Sequence, residues 1–404
     1  MESSFTKQAL VLGLLSAIGP FAVDMYLPAV PALGQGLKAT PLAVQQSLMA
    51  FFLAIGIGQL LYGPLSDMFG RKRPLYAGLT LFALTSVACA FVTSIESLTV
   101  WRFVQGIGAS AVMVIPRAVV RDLHSGTAAA RLMSLMVLAF SVSPLLAPLG
   151  GSLAIAWASW RAVFWLAAAL ALFGLLLTAT GLPETRPRAQ RVSGKLRRVF
   201  AGYGTLLRDE RFLGLCLVSG FGMSGFLLYL ASSSLVLITH YGLTHTLYSL
   251  FFSLHVVAFL GSALLVGPLT AKYGLPRVLR AAASGHALTM VSLCLLWNVG
   301  FTSLPLFATL LFVGFGLLGL VIPTSTVLLL DDHAALAGTA AALLGSLQMV
   351  TGAVVVALLS AWADGTPTPM VVGVSSSACI TAALTWWTLR QPRVLESASV
   401  ELEA

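Results

Sequence analysis

The sequence predicts an all-α membrane protein with twelve transmembrane helices in two pseudo-symmetric six-helix halves. About twelve apolar stretches, each near 20 residues long and separated by short loops, run from Val11 to Leu389. Only 9% of the 404 residues are charged, and the mean hydropathy is +0.94. A short loop sequence also recurs half a chain later. Because no soluble core has room for so many apolar segments, we expect the chain to lie in a bilayer.

The predicted spans follow one another with one long interruption, between the sixth and the seventh. Each span is placed at the ends of an apolar run, to within a few residues. An even number of spans puts both chain termini on the same side of the membrane. The spans are residues 8–30, 44–66, 75–94, 97–120, 129–153, 160–182, 212–238, 246–270, 278–299, 302–329, 336–362 and 369–389.

Composition limits what else the chain can contain. The spans use most of the 404 residues, which leaves no room for a separate catalytic domain outside the bilayer. Cys89, Cys216, Cys294 and Cys379 stand singly within apolar runs, so we interpret them as small core residues rather than metal ligands or disulfide partners. The first span has no small-residue cleavage site, which favours a signal anchor over a removed signal peptide.

Basic residues indicate the orientation in the membrane. Of the 23 Lys and Arg, only Lys38 and Arg161 lie on the side of the odd-numbered loops, and Arg102 and Arg117 lie well inside the fourth span. The others lie in, or within a few residues of, the tails and the even-numbered loops, so the positive-inside rule predicts that both tails and the central loop are cytoplasmic. This asymmetry accounts for the net charge of +9 without a nucleic acid partner. Basic residues beside the membrane are also candidates for contact with anionic lipid.

The loop after the second span is repeated after the eighth. Residues 63–73 read GPLSDMFGRKR, and residues 267–277 read GPLTAKYGLPR. The economical interpretation is a duplication that gives an N-terminal half (1–182), a cytoplasmic linker (183–211) and a C-terminal half (212–404). The alternative is that glycine, proline and basic residues are merely common between cytoplasmic helices. Parallel halves around a site near the membrane midplane are one architecture used for alternating access.

The first copy of this loop resembles the signature of the major facilitator superfamily, with Gly63, Asp67, Gly70, Arg71 and Arg73 at motif positions. Further segments resemble its bicyclomycin and chloramphenicol resistance branch, Bcr/CflA. These segments are DMYLPAVP (24–31), RFVQGIGAS with RAVVRD (102–122), APLGG (147–151) and AGTAAALLG (337–345). The resemblance spans essentially the whole chain and implies the major facilitator fold and a drug:proton antiporter.

The chain departs from the family pattern in three places, the first being Met68, which stands where a basic residue is common. In the fifth span, Pro148, Gly150 and Gly151 match the helix-packing motif of antiporters, but Ala147 stands in place of its first glycine. In the second copy of the loop, Ala271 stands in place of the aspartate. The resemblance therefore implies a charged latch for the first copy only.

Asp24 is the candidate proton carrier. It lies about 17 residues beyond Lys7, or roughly 25 Å along a helix, and so inside the outer half of the membrane. A carboxylate there is costly to charge, which makes it a candidate for binding and releasing a proton during transport. The alternative is an interfacial acid, because Pro28 and Pro31 end the helix nearby. Tyr26 is a candidate substrate contact in the same segment.

Arg102 in the fourth span is the candidate partner of Asp24. It lies about 9 Å deeper than Glu96, at a depth compatible with that of the carboxylate. Helical spacing places Gln105 and Met113 on the same face, which we interpret as a cavity wall with these two side chains as substrate contacts. An arginine can hold a carboxylate or steer water there. The alternative is a bond to backbone carbonyls that only fixes helix packing.

Candidates in the C-terminal half are fewer. Phe226 and Tyr229 share one face of the seventh span and are candidate aromatic contacts, although the small residues on that face are equally typical of plain helix packing. Gln348 in the eleventh span is a candidate hydrogen-bonding group, with a structural bond as the alternative. His255 and His286 titrate in a suitable range, but a neutral histidine bonded between helices is the more frequent finding.

The loop residues Gly63, Asp67, Gly70, Arg71 and Arg73 are predicted to form a conformational latch. Asp67 can meet a neighbouring helix N-terminus or pair with Arg71, while the glycines permit tight turns. Breaking such a latch should change the balance between inward- and outward-open states more than substrate affinity. The alternative is a simple cytoplasmic turn with a solvated basic cluster.

These observations and the family resemblance together predict a proton-coupled multidrug or chloramphenicol-type efflux transporter that works by alternating access. The sequence has no nucleotide-binding loop and no His/Cys ligand cluster, so we expect no enzyme activity, cofactor or metal. The expected partners are a small amphipathic drug-like substrate, protons and membrane lipid, for a monomer in a bacterial inner membrane. The alternatives are a proton-coupled transporter of a small metabolite, such as a sugar or amino acid derivative, and a non-transporting membrane receptor.

Overall fold

The computed structural model describes residues 2–124, 126–187, 196–333, 336–360, 362 and 366–391. Within these ranges the chain is almost entirely helical and contains no strand. The α-helices are α1 (Glu2–Asp24), α2 (Val30–Gly36), α3 (Pro41–Phe69), α4 (Lys72–Phe91), α5 (Ile95–Leu123), α6 (Gly126–Trp157), α7 (Arg161–Gly181), α8 (Leu196–Leu206), α9 (Glu210–Ser234), α10 (His245–Ala263), α11 (Val266–Tyr273), α12 (Leu275–Asn298), α13 (Leu304–Asp332), α14 (Ala337–Ser360) and α15 (Thr368–Thr388). A 3₁₀ turn (Leu27–Ala29) precedes α2, and a π-helix (Leu235–His240) follows α9.

The helices account for the predicted spans. Eleven described segments are long and apolar enough to cross a membrane, and α6 supplies the twelfth, with Leu146–Trp157 as its shorter described apolar stretch. Two of the predicted spans contain breaks. The first runs from α1 through the 3₁₀ turn into α2, and the eighth is divided into α10 and α11.

The predicted linker differs from a simple loop. It contains α8, and α9 already begins at Glu210. On α8, Tyr203 and Leu206 are buried. A proline- and arginine-rich composition does not indicate this helix, because the helix depends on burying these two side chains in the tertiary structure.

The two copies of the repeated loop share a backbone feature. Gly70, between α3 and α4, has φ +87°, and Gly274, between α11 and α12, has φ +80°. Glycine adopts these angles without the steric penalty that other residues meet. The repeat therefore preserves the same kind of turn at equivalent places in the chain.

The described chain forms two compact units. Unit 1 comprises residues 1–196 and 233–253, and unit 2 comprises residues 197–232 and 254–404. The end of α9, the π-helix and the start of α10 thus belong to the same unit as the N-terminal helices. The division of the protein at the linker into two evolutionary halves stays a prediction.

In unit 1, α5 packs closely against α3 and α4 through glycines. A side chain at Gly106 would overlap the backbone of Phe51 in α3, and one at Gly108 would overlap the backbone of Gly78 in α4. Small residues of this kind let helix backbones approach each other where no hydrophobic driving force exists between helices. The helix that carries Arg102 is therefore held on two sides, and α1 contacts it on a third.

In unit 2, α12 packs against α13 and α15. Ser375 of α15 donates a hydrogen bond to the Met290 carbonyl of α12 at 2.6 Å. The hydroxyls of Ser219 and Ser325 join α9 to α13 at 2.6 Å. Polar bonds between helices, in addition to side-chain packing, hold this unit together.

Candidate functional site

Asp24 lies at a break in the first membrane-spanning segment. α1 ends at Asp24, and the chain then turns into the 3₁₀ turn before α2. The side chain is buried, and Ser143 Oγ of α6 donates a hydrogen bond to its Oδ2 at 3.3 Å. Discontinuous helices of this kind are where transporters commonly bind ions and substrates.

Arg102 is buried against aromatic rings. Its side chain is 1% exposed, and its guanidinium carbon lies 4.0 Å from the ring centre of Phe51 and 4.6 Å from that of Tyr26. Nη1 donates to Gln105 Oε1 at 2.7 Å, and Gln105 Nε2 donates to Ser86 Oγ at 2.7 Å. Nε and Nη2 are buried without a hydrogen-bond acceptor among the described atoms. Two aromatic faces and one amide therefore stabilise this cation in the absence of a carboxylate.

Asp24 and Arg102 belong to the same unit but are not paired. No ion pair within the described ranges joins the two side chains. Tyr26 links them indirectly, because it follows the acid by two residues and its ring contacts the guanidinium. Its phenol is hydrogen-bonded to Ser47 Oγ at 2.7 Å.

The side chains predicted to contact substrate in unit 1 differ in how far they are buried. Tyr26 and Gln105 are fully buried and hydrogen-bonded within the protein. Met113 is half-buried and lies beside α1, where a Cβ added at Gly19 would be 3.6 Å from its Cγ. Of the three, Met113 is the one that is reachable in this conformation.

The predicted aromatic contacts of unit 2 belong to one cluster. Phe226 stacks on Phe259 with ring centres 5.1 Å apart and meets Phe315 edge-on at 5.5 Å. The ring centre of Tyr229 lies 5.0 Å from that of Phe315 and 5.6 Å from that of His255. Phe226 is half-buried, whereas Tyr229 is fully buried. Such a cluster offers flat apolar faces to an aromatic ligand.

In unit 2, His255 and His286 contact backbone carbonyls of a neighbouring helix, as histidines that only join packed helices do. His255 Nε2 lies 3.1 Å from the Ala308 carbonyl oxygen, and His286 Nδ1 lies 2.8 Å from that of Gly314. Gln348 is half-buried on α14. One turn further along α14, a side chain at Gly352 would overlap Leu227 of α9. No group of three or more described His, Cys, Asp or Glu side chains is placed to hold a metal ion.

The predicted latch is assembled around Arg71. Its side chain is buried, and Nη1 donates to Asp67 at 2.8 Å and to Ser66 at 2.6 Å. Nε and Nη2 donate to the two carboxylate oxygens of Asp122, at the end of α5. Burial alone would lower the pKa of Arg71, but the hydrogen bonds and charges of the two acids raise it above its usual value.

The other three latch residues have different roles. Gly70 supplies the left-handed turn after α3. Arg73 is exposed, and no ion pair in the described part of the chain includes it. No atom lies within 4 Å of a Cβ added at Gly63, so this glycine is not required for close packing here.

A four-residue segment after α7, residues 183–186, binds the same latch, and the sequence did not indicate it. Glu184 accepts hydrogen bonds from two backbone N–H groups at the start of α4, at 2.8 and 3.2 Å. Thr185 donates to Asp122 at 2.9 Å, and Arg186 donates to Asp67 at 2.8 Å. Acids and hydroxyls directly after a span were the available signal, but their partners are over 60 residues away in sequence.

Unit 2 carries a second cytoplasmic ion pair that the sequence analysis missed. In the second loop copy, Ala271 and Leu275 replace the acid and the arginine of the first. Arg211 of α9 instead donates from Nε to Asp332, at the end of α13, at 2.7 Å. Both side chains are buried, and Arg211 also donates to the carbonyl of Gln391 after α15 at 2.7 Å. Asp332 thus ends the tenth span as Asp122 ends the fourth, but its arginine partner comes from α9 and not from the repeated loop.

Asp209 and His333 extend this pair. Asp209 Oδ1 accepts from the backbone N–H of Arg211 at 2.8 Å and of Phe212 at 2.9 Å, at the start of α9. Its Oδ2 lies 3.0 Å from His333 Nε2. Burial alone would raise the pKa of Asp209, but these hydrogen bonds and the His333 ring hold it below its usual value.

Of the predicted helix-packing motif in α6, Gly151 makes the close contact. A side chain there would overlap the Met25 backbone, beside Asp24. Gly150 has open space at its Cβ position, and Pro148 is buried. The motif thus brings α6 against the break that holds the candidate proton carrier.

Comparisons with known proteins identify the kind of molecule. The family model described as Major Facilitator Superfamily matches residues 12–356. An uncharacterized MFS-type transporter YdgK of Bacillus subtilis is 33% identical over 352 residues, covering 86% of this chain and 87% of that protein. A bicyclomycin resistance protein homolog of Haemophilus influenzae is 29% identical over 390 residues, covering 96% and 97%. Multidrug resistance protein D of Escherichia coli is 32% identical over 356 residues, covering 87% and 88%.

Among solved structures, the crystal structure of a D-xylose-proton symporter has a TM-score of 0.73 over 96% of this chain and 98% of that chain. The sequence identity is 17%, so this likeness bears on the fold alone. It agrees with the predicted all-helical fold of twelve membrane-spanning segments.

Proposed function

This chain belongs to the major facilitator superfamily, and from that premise we propose that it is an efflux transporter that exchanges amphipathic drug-like molecules for protons. The relatives named for bicyclomycin resistance and multidrug resistance support export of drugs as the activity. Family and relatives are transporters, which agrees with the expectation that the chain is not an enzyme.

The observation that carries proton coupling is the buried Arg102 without an acid partner. Two of its nitrogens, Nε and Nη2, have no acceptor among the described atoms, and a buried cation without a counter-charge is costly. A state in which a carboxylate pairs with Arg102 would remove that cost. Asp24 is the candidate acid, because Tyr26, only two residues after it, contacts the arginine. We infer that protonated Asp24 leaves Arg102 on its aromatic rings, as seen here, and that deprotonated Asp24 competes for it.

This competition provides an exchange cycle. A proton from outside neutralises Asp24 and favours the arrangement with Arg102 held by Gln105 and the rings of Tyr26 and Phe51. Loss of that proton toward the cytoplasm exposes a carboxylate, which binds the arginine or a polar group of the drug. Drug and proton then stabilise different states, as exchange requires.

The other predicted residues fit roles around this pair. Tyr26, Gln105 and Met113 in unit 1, and Phe226, Tyr229 and Gln348 in unit 2, are proposed to contact the drug. The latch around Arg71 is proposed to set the balance of states. We further propose a monomer in a bacterial inner membrane, with both termini cytoplasmic and with lipid around its apolar surface.

A susceptibility panel in a host lacking its own drug pumps tests this function. We expect the wild-type chain to raise resistance to chloramphenicol-type compounds, and Asp24→Asn, at equal protein level, to abolish that resistance. Drug-induced proton release from purified protein near neutral pH should also be lost in Asp24→Asn. Absence of resistance to any drug, together with counterflow of a labelled sugar or amino acid derivative in proteoliposomes, would instead identify a metabolite transporter.

A further inference from the structure

The Asp24 carboxylate has a hydroxyl partner on a different helix. Ser143 of α6 is fully buried, and its Oγ donates to Asp24 Oδ2 at 3.3 Å. This distance is longer than the usual 2.7–2.8 Å of a hydroxyl hydrogen bond, so the bond is weak in the conformation seen here. Hydrogen bonds at working sites are often long in the unliganded state and tighten when the site is loaded.

A hydroxyl suits a group that changes its protonation state. An ionised carboxylate only accepts hydrogen bonds, whereas a carboxylic acid also donates one. Ser143 can donate to the first and accept from the second by rotating one O–H bond. An alanine can do neither, and a threonine keeps both abilities.

The same helix touches the break in α1 at a second point. Gly151, about two turns after Ser143, lies so close to the Met25 backbone that any side chain there would overlap it. Between these points, Pro144 and Pro148 each remove a backbone donor from α6, which makes this stretch deformable. The position of Ser143 relative to Asp24 therefore depends on how α6 is bent.

α6 also contacts α10 beyond these points. Ser152 Oγ lies 2.8 Å from Ser249 Oγ and donates to the His245 carbonyl at 3.2 Å, all within unit 1. Movement of α6 that alters the Ser143 contact must also act on this contact. The proton site and the α6–α10 contact are thus joined by one helix.

We propose that Ser143 is a positioning residue for the transported proton: its hydroxyl holds Asp24 in both protonation states and ties that site to the bending of α6. This inference rests on the proposed role of Asp24 as proton carrier. It assigns to α6 a polar function in addition to close packing at Gly151.

Infrared difference spectroscopy of the full-length protein in lipid vesicles, taken between two pH values, tests the proposal. A protonated Asp24 gives a carboxylic C=O band that is absent in Asp24→Asn. In Ser143→Ala, we expect this band to shift, because the carboxylic acid loses its hydrogen bond with the Ser143 hydroxyl. Ser143→Thr should keep the parent band. Ser110→Ala is the matched control, because it removes a fully buried hydroxyl that bonds the Ile107 carbonyl of its own helix, α5, rather than Asp24.

Drug-driven proton release supplies the second readout. We expect Ser143→Ala to reduce it roughly 2- to 10-fold, the range expected for one hydrogen bond, and Ser143→Thr to restore it. An Asp24 band that is unchanged in Ser143→Ala, or that moves equally in Ser110→Ala, overturns the proposal while leaving Asp24 as carrier. A spectrum that Asp24→Asn does not change overturns the proton-carrier role itself, and the Ser143 inference with it.

Discussion

Arg71 and Asp122 are joined by two hydrogen bonds, from Nε to Oδ2 at 2.7 Å and from Nη2 to Oδ1 at 3.1 Å. The pair links the start of α4 to the end of α5 with the forked geometry that arginine and carboxylate favour. Asp67 shares the same guanidinium but is more exposed, with 42% of its side chain accessible against 17% for Asp122. The latch therefore has an inner and an outer acid.

We predict that Asp67→Asn and Asp122→Asn both impair transport while leaving drug affinity within about threefold of the parent, because a latch shifts populations of states rather than the binding site itself. Asp122→Asn should be the more defective, since its contact is bidentate and better buried. Transport in vesicles and drug binding to purified protein measure the two effects separately. Equal losses of binding and transport would contradict a latch role.

Asp332→Asn should destabilise the protein strongly. Its partner Arg211 is buried, and removing one member of a buried pair leaves an uncompensated charge, at a cost of about 3–5 kcal/mol. Thermal unfolding of purified protein should show a clear fall in Tm. Asp331→Asn, at the exposed neighbouring position, is the control and should change little. A parent-like Tm for Asp332→Asn would show that the pair contributes no net stability.

The lowered pKa of Asp209 predicts that the folded protein loses stability at low pH. Its pKa is lowered in the folded protein, so the unfolded state binds more protons in the window below the ordinary aspartate pKa of about 3.9. The stabilisation is fully present above that value and is lost as the pH falls through the folded pKa. Unfolding measured from pH 6 down to pH 3 should show a steeper loss for the parent than for Asp209→Asn. Parallel curves would exclude this contribution.

Substitutions at Arg102 separate charge from shape. The guanidinium lies flat against two rings and bonds Gln105, and a lysine cannot reproduce this arrangement. We expect Arg102→Ala to abolish drug-driven proton release and Arg102→Lys to retain no more than about a tenth, in line with a loss of about 1.4 kcal/mol or more. Phe51→Leu, which removes one ring, should reduce it less. Parent-like release in Arg102→Lys would show that charge alone suffices.

Reporter fusions test the orientation. Fusions after Gly181, Gly274 and Ala404 should report the cytoplasm, and fusions near Gly36 and Asp364 should report the periplasm, because the basic residues are so distributed. Asp364 and Ala404 lie outside the described residues, so the predictions for these two positions rest on the sequence alone. A cytoplasmic signal at Asp364 would contradict the twelve-span topology.

The sequence alone predicted the helical membrane fold, because spans of about 20 apolar residues have few alternatives in a bilayer. It also selected Asp24, Arg102 and the latch loop, because a charge or a motif at such positions is rare. The breaks around Asp24 and between α10 and α11 were less visible. An apolar pattern shows that a segment can span the membrane. Where no proline marks the break, as between α10 and α11, it does not show where the helix is interrupted.

Only the tertiary structure decided the partners. Arg71 bonds Asp122 and Arg211 bonds Asp332 across at least 51 residues of sequence, and spacing along the chain cannot select one acid among several. Arg102 was expected to meet Asp24 and instead lies on Phe51 and Tyr26. Hydrophobic length is a property of each segment and can be read along the chain. Hydrogen bonds and ion pairs depend on which helices become neighbours, and that is determined by packing of the whole unit.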